Sequence, residues 1–232
     1  MAFPQVEATN NSAETTNETS HTVALPAGIQ AGETLLVFFS CDWLRTVTFP
    51  GGWTEIFEDI SSATLAIAWR KADGGEGASI TVTTSGTEQS VHISHRISGA
   101  IDPATTPPEV SAGATGNSTN PNPDSLNPGG GAEEYLWIAV ASSNDGQEIY
   151  TAYPANYTDN RETYQSLEHI AGCNIAVATR EIETTVQDPG TFTIEASEAW
   201  AACTVAVYPE LPPPPSPVTD GDLIGIGIIR RS

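Results

Sequence analysis

The residues able to do chemistry in this 232-residue chain are four histidines, three cysteines and 29 acidic side chains. His92 and His95 are the one close histidine pair. On a strand, positions i and i+3 point to opposite faces, so the two cannot converge on a metal without a bulge. Glu133-Glu134 and Glu181/Glu183 have the spacing of carboxylate pairs that a glycosidase uses as acid and base. Acids are so frequent here that such pairs carry no specificity. Asp73-Gly74-Gly75-Glu76 and Asp220-Gly221-Asp222 set oxygen ligands on Gly-permissive turns, which suits calcium, although both serve first to turn the chain. A Gly-x-Ser-x-Gly elbow, a Walker loop, a strand-linked GxGxxG, HExxH and an EF-hand loop are all missing. The expectation is a non-enzyme with no catalytic residues, no metal and no cofactor.

Cys41, Cys173 and Cys203 are odd in number and lie in no CxxC or Cys/His zinc spacing. They read as small buried hydrophobes, in keeping with synthesis in a reducing cytoplasm. Met1–Glu7 has neither the cationic nor the apolar region of a secretory signal. Eight basic residues, with Lys71 the only lysine, leave a formal net charge of -21. That excludes a phosphate-backbone binder and adhesion to an anionic membrane surface, both of which need clustered cations. No apolar run approaches the roughly 20 residues of a spanning helix. Strong acidity also suits high ionic strength, where salt screens self-repulsion.

The elements that must position these residues are strands. Runs rich in β-branched and aromatic residues recur at Thr34–Ser40, Leu65–Arg70, Ser79–Thr84, Val91–Ser98, Tyr135–Ala141, Asn174–Thr179, Thr191–Glu195 and Ala202–Tyr208. Turn signals such as Pro50-Gly51-Gly52 and Asn144-Asp145-Gly146 separate them. Leu35–Phe39 and Tyr135–Val140 are apolar on both faces, as central strands covered on each side are. The predicted class is all-β.

The two halves read alike. Leu35–Phe39 lies over Tyr135–Ala139 at an offset of 100, Ile67–Arg70 over Val177–Arg180 at 110, and Val91–Ile97 over Ala201–Val207 at 110. Thr48-Phe49-Pro50-Gly51-Gly52-Trp53-Thr54 matches Ala152-Tyr153-Pro154-Ala155-Asn156-Tyr157-Thr158. Two four-strand halves make a jelly-roll-like two-sheet sandwich with one shared core. Trp53 and Tyr157 follow the turn prolines, where a ring either plugs an open end or stacks on a sugar. With Trp43 and Tyr153 they are the candidate glycan-contact aromatics.

This reading divides the chain into an N-terminal segment at 1–21, a sandwich at 22–210 and a Pro-rich linker at 211–219. A C-terminal arm occupies 220–232. The repeats span about 33–100 and 133–209, joined by a connection at 102–131 that is too long for an ordinary loop and is expected to be exposed. The linker is a polyproline II spacer. Beyond it, Leu223, Ile224, Ile226, Ile228 and Ile229 form an uncharged strand-prone run, closed by Arg230 and Arg231. Such a run can add to another chain's sheet edge, and the two cations suit docking on an acidic neighbour. It is read as an assembly arm, docking either on its own sandwich or on a neighbour.

Leu25-Pro26-Ala27-Gly28-Ile29-Gln30-Ala31-Gly32-Glu33-Thr34-Leu35-Leu36-Val37, followed by Gly52-Trp53-Thr54, resembles β-sandwich proteins of tailed-bacteriophage structural gene clusters. Arg70–Glu76, Ile97–Ala100 and Thr204–Pro209 extend the resemblance, which spans about residues 22–209. It implies a non-catalytic virion component: a capsid decoration, head-fibre or tail-associated protein on the virion surface, made in the host cytoplasm. The partners it implies are copies of itself, as a trimer, and other virion proteins such as the major capsid protein. Nucleic acid and membrane are not expected partners, and surface glycans are the alternative. In that alternative the chain is a carbohydrate-binding or host-attachment module.

Overall fold

Strands that are apolar on both faces need cover on two sides, and the fold supplies it in layers. The structure is a computed structural model that describes residues 2–147, 149–166 and 172–212. Its first half contains β1 (Gln5–Ala24), β2 (Thr34–Cys41), β3 (Val47–Thr48), β4 (Thr54–Asp59), β5 (Thr64–Lys71) and β6 (Ser79–Ser98). The second contains β7 (Glu109–Val110), β8 (Ala114–Ser118), β9 (Glu133–Ser143), β10 (Tyr150–Ala152), β11 (Asp159–Gln165), β12 (Asn174–Thr184), β13 (Thr193–Ile194) and β14 (Glu198–Val207). No helix occurs among the described residues.

Each half folds into its own antiparallel sheet, and the two sheets pack as a sandwich. The first runs β1-β6-β2-β5-β4 with β3 beside β6, and the second runs β11-β12-β9-β14-β7 with β8 on β14. The order β6-β2-β5-β4 therefore reappears as β14-β9-β12-β11. Cys41 lies opposite Thr64 and Ser90, and Ser143 lies opposite Asn174 and Trp200. Both partner pairs keep the 110-residue offset, which makes Cys41 the counterpart of Ser143. The true offset of β2 and β9 is thus 102, two more than alternation alone indicates. Both values are even and bury the same face, so only the partner strands distinguish them.

The inner faces of the sheets interdigitate. Leu36, Phe38, Ile67, Ile93 and Ile97 meet Ile138, Val140, Ile175, Val177 and Val205 in the shared core. The outer faces are covered as well. Val37 and Phe39 pack under Val23, Leu25, Val47 and Val82, while Trp137 and Ala139 pack under Tyr150, Tyr157, Phe192 and Ile194. Cover over the first sheet comes from the β1–β6 ribbon, which folds back on itself. Ser12 pairs with His92, yet the Ala24 amide donates to Ser12 Oγ at 2.9 Å, and the pairing breaks between Glu14 and Ser20.

Several boundaries differ from the sequence reading. Residues 1–21 are not a separate segment, because Gln5–Ala24 is one continuous strand of the first sheet. Ser79–Thr84 and Val91–Ser98 are two ends of β6. The edge strands β4 and β11 are polar (Glu55, Glu58 and Asp59; Asp159, Arg161 and Glu162) and show no apolar alternation to read. Acids and pairing irregularities on an edge discourage a further strand from adding there. The 102–131 connection is not simply exposed. It supplies β7 and β8 and buries Pro108, Ser111, Pro121, Pro123 and Leu126 against the second sheet. Gly113 in this strap has φ +86° and lies under Phe57 of the opposite sheet, where a Cβ would come within 2.6 Å of the ring. Only glycine meets both conditions there.

Candidate functional site

The sandwich has two chemically different ends. At the base, Ala100 bridges Pro209, the Glu210 amide donates to the Gly99 carbonyl at 2.8 Å, and Gln5 Nε2 donates to Glu181 Oε1 at 2.9 Å. The last described residues, Leu211 and Pro212, leave from this end. At the tip lie the β2–β3, β4–β5 and β9–β10 loops, which display Trp43 (61% exposed), Leu44, Ile60 and Ile149. Leu211 and Val186 are exposed at the base side instead.

The four candidate glycan aromatics do not come together. Trp43 alone stands out at the tip. Trp53 is half-buried on the outer layer of the first sheet. Tyr153 is half-buried against Phe192, with the Arg161 guanidinium 5.4 Å from its ring centre. Tyr157 is fully buried among the outer-layer residues of the second sheet and offers no face to a ligand, which corrects its assignment as a contact residue. Pro154 and the following turn drive this ring inward. The arm residues Leu223, Ile224, Ile226, Ile228, Ile229, Arg230 and Arg231 lie outside the described residues.

Of the other sequence candidates, Asp220-Gly221-Asp222 lies outside the described residues, and the rest are accounted for locally. Asp73 and Glu76 both bind Arg70, at 2.6 and 3.2 Å; Glu76 Oε1 also accepts the Asp73 amide, and the remaining oxygens, Glu76 Oε2 and Asp73 Oδ1, accept the amides of Gly74 and Gly75. Glu133, Glu134 and Glu183 line a shallow acidic cleft of about 250 Å³ at the base. Cys41, Cys173 and Cys203 are buried and unpaired, and burial pushes the Cys41 thiol up to about 12. Such a thiol stays protonated and unreactive.

His92 and His95 do face opposite ways. His95 points into the shared core, edge-on to Phe38 at 5.2 Å, and neither ring nitrogen has a hydrogen-bond partner. His92 stacks on Phe39 in the outer layer and belongs to a buried chain of hydrogen bonds. The Ala24 amide meets Ser12 Oγ at 2.9 Å, Ser12 Oγ meets His92 Nδ1 at 2.9 Å, and His92 Nε2 meets Ser90 Oγ at 2.8 Å. Ser90 Oγ then meets His21 Nδ1 at 2.7 Å, His21 Nε2 meets Thr84 Oγ1 at 2.8 Å, and Thr84 donates to the Gly86 carbonyl. One end is a fixed donor and the other a fixed acceptor. With both imidazoles neutral, as their burial favours, the protons close in one direction only, with hydrogen on Nε2 of each ring. A further proton on either ring would turn its acceptor Nδ1 into a second donor, so that the serine hydroxyl facing it could no longer donate there. Burial accordingly holds His21 at about 4 and His92 at about 3, Glu14 opposing the shift at His21 and the His21 ring adding to it at His92.

Beneath Trp43, the inner faces of the tip turn polar. Ser40 and Asp42 continue the inward row of Leu36 and Phe38, and Ser142 and Asn144 continue that of Ile138 and Val140. The 102-residue repeat makes these pairs counterparts. Gln89 sits opposite Asp42, whose amide it accepts at 3.4 Å. Burial, then Glu88 and Asp145, push the Asp42 carboxyl up to about 7, with Arg45 opposing. Arg45 itself is bound to Glu88 at 2.7 Å through Nε. Sequence reasoning missed this set. Its signal is the apolar-x-apolar-x-Ser-x-Asx pattern shared by Leu36–Asp42 and Ile138–Asn144, visible only at the correct offset.

Each cation among the described residues is engaged. Arg45, Arg70, Lys71 and Arg96 hold carboxylates, Arg161 donates to the Tyr157 carbonyl, and Arg180 donates to Gln187. No family model, no curated protein and no solved structure matches the chain.

Proposed function

We propose that this chain is a non-enzymatic structural protein of a virion surface, tethered at the base and displaying the loop tip. The observation that carries the reading is polarity. The chain leaves toward its Pro-rich linker at one end, and the exposed Trp43, Leu44 and Ile149 stand at the other. The sequence resemblance to tailed-bacteriophage sandwich proteins supports a virion setting: capsid decoration, head fibre or tail. Engagement of every described cation within the chain fits a role in which protein surfaces, not nucleic acid, are the partners. The arm Leu223–Arg231 joins copies of the chain, as a trimer, or binds the major capsid protein.

Light scattering on the full chain and on a variant ending at Glu210 tests this reading. The expected result is an oligomer that becomes monomeric on truncation while its thermal melt stays unchanged. Monomers in both cases would overturn self-assembly through the arm. An oligomer in both would move the contact to the sandwich.

A second reading, glycan attachment at the tip, rests on Trp43, whose 61% exposure leaves a ring face free to stack. Binding on a glycan array that falls at least roughly tenfold in Trp43→Ala, a loss of about 1.4 kcal/mol, is the expected outcome. An array blank at millimolar ligand would exclude it.

A further inference from the structure

We infer that the outer half of the β1–β6 ribbon is an acid-released flap, pinned to the first sheet by the hydrogen bonds that run from Ser12 through His92, Ser90 and His21 to Thr84. The flap comprises Ser20–Ala24 paired with Ser79–Thr83, together with the bend beyond them. His21 and Thr84 sit on this outer part, whereas Ser12 and His92 sit on the inner half, paired with each other in the sheet. Ser90 joins the two rings, meeting His21 Nδ1 at 2.7 Å and His92 Nε2 at 2.8 Å. Side chains also tie down the end of the flap. The Ala24 amide donates to Ser12 Oγ, Ser94 Oγ donates to the Ala24 carbonyl at 2.7 Å, and Asn10 Nδ2 donates to the Leu25 carbonyl at 2.9 Å. Among the described residues, the flap's one ladder to another strand is the two-residue pairing of Thr83 and Thr84 with β3. Its apolar grip comes from Val23, Leu25 and Val82, which lie over Val37 and Phe39. The shared core contains no flap residue, so lifting the flap leaves the two sheets closed on each other.

Protons act against this arrangement. From β2, Phe39 stacks on His92 and meets His21 edge-on at 5.3 Å, an apolar wall that offers no counter-charge. The two rings lie 6.4 Å apart, so a charge on one opposes a charge on the other. From β1, Glu14 favours a charge on His21, but its Oε1 already accepts from Thr16. From β6, Glu88 is bound by Arg45. Closed, the rings stay neutral down to about 4 and about 3; lifted into water, each takes a proton near 6.5. The lifted form therefore binds more protons below pH 6.5, and falling pH favours it. Between pH 6.5 and 4.5 the two rings together shift the balance roughly 10³-fold. His95 points into the shared core and takes no part. What lifting uncovers is the outer face of β2, with Val37 and Phe39 at its centre. This inference does not depend on the virion reading.

Native-state hydrogen exchange on the full chain, in low urea at pH 6.5, 5.5 and 4.5, tests the flap. The probe is the Ala24 amide, whose acceptor Ser12 Oγ lies across the fold-back, and the reference is Ile138 on the central strand β9. After correction for intrinsic rates, protection at Ala24 should fall roughly 10³-fold from pH 6.5 to 4.5. Its urea dependence should be weaker than that of Ile138, because lifting the flap exposes less surface than global unfolding. His21→Gln keeps a donor and an acceptor and removes one titration, so it should cut the fall at Ala24 to roughly 50-fold. His95→Phe should leave the fall at Ala24 unchanged while reducing the one at Ile138. Exchange at Ala24 with the rate and urea dependence of Ile138 would mean that the ribbon opens only with the whole protein, and would overturn the flap. That comparison needs no variant. Protection at Ala24 that ignores pH, or that answers to His95→Phe as strongly as to His21→Gln, would overturn it too.

Discussion

Lowering the pH from 6.5 to 4.5 should bring the protein close to unfolding. His21, His92 and His95 are held neutral by burial, at about 4, 3 and 3, against 6.5 for an unfolded imidazole. The unfolded chain therefore binds more protons throughout this window. Each histidine contributes stability that is present above pH 6.5 and lost as pH falls toward its folded value. At pH 4.5 the loss is roughly 2 to 3 kcal/mol per histidine by linkage. Asp42 works in the opposite sense. Its carboxyl is raised to about 7, so protonation on acidification relieves a cost and offsets about one histidine. A net loss of roughly 3–5 kcal/mol remains, a large part of a typical total stability. Urea melts at half-unit pH steps check this. His95→Phe isolates one contributor, because His95 has no hydrogen-bond partner to lose and already packs edge-on against Phe38. It should flatten the slope by about one proton, roughly 1.4 kcal/mol per pH unit. Melts that do not move between pH 6.5 and 4.5 would refute the neutral, closed arrangement.

Phe38→Ala should cost roughly 3–5 kcal/mol, and it should destabilise both sheets together. Phe38 is fully buried at the centre of the inner layer, where side chains from β2, β6, β9 and β12 meet. Removing the ring opens a cavity that neither sheet can close alone. Because each sheet is the other's inner cover, hydrogen exchange at Ile138 and Val177 in the second sheet should accelerate as much as at Ile67 in the first. Unchanged protection in β9 and β12, with loss confined to β2 and β5, would mean that the halves are separate cooperative units. The repeat makes this a real alternative, since each half carries its own sheet and its own outer cover.

Much of this fold was legible in the sequence, for a local reason. Alternation in Ser79–Val82, two-sided apolar runs at Leu35–Phe39 and Tyr135–Val140, and Gly/Pro turns specify strands without reference to distant residues. They determined the all-β class, the two-sheet sandwich and its duplicated halves. The i, i+3 spacing also determined that His92 and His95 diverge. What tertiary structure alone decided concerns pairings between distant residues. The 102-residue offset of β2 and β9 depends on which residues oppose Cys41 and Ser143, and alternation is blind to a shift of two. The edge strands β4 and β11 are held by one neighbour each and carry charges, and their few apolar residues, Ile56 and Phe57 in β4 and Tyr164 in β11, do not alternate, so no strand period announces them. Ser12, His21, Thr84, Ser90 and His92 form one hydrogen-bonded chain only because the β1–β6 ribbon doubles back. Asp42, Gln89 and Asn144 meet only because two sheets, folded from opposite halves of the chain, end their inner rows at the same place.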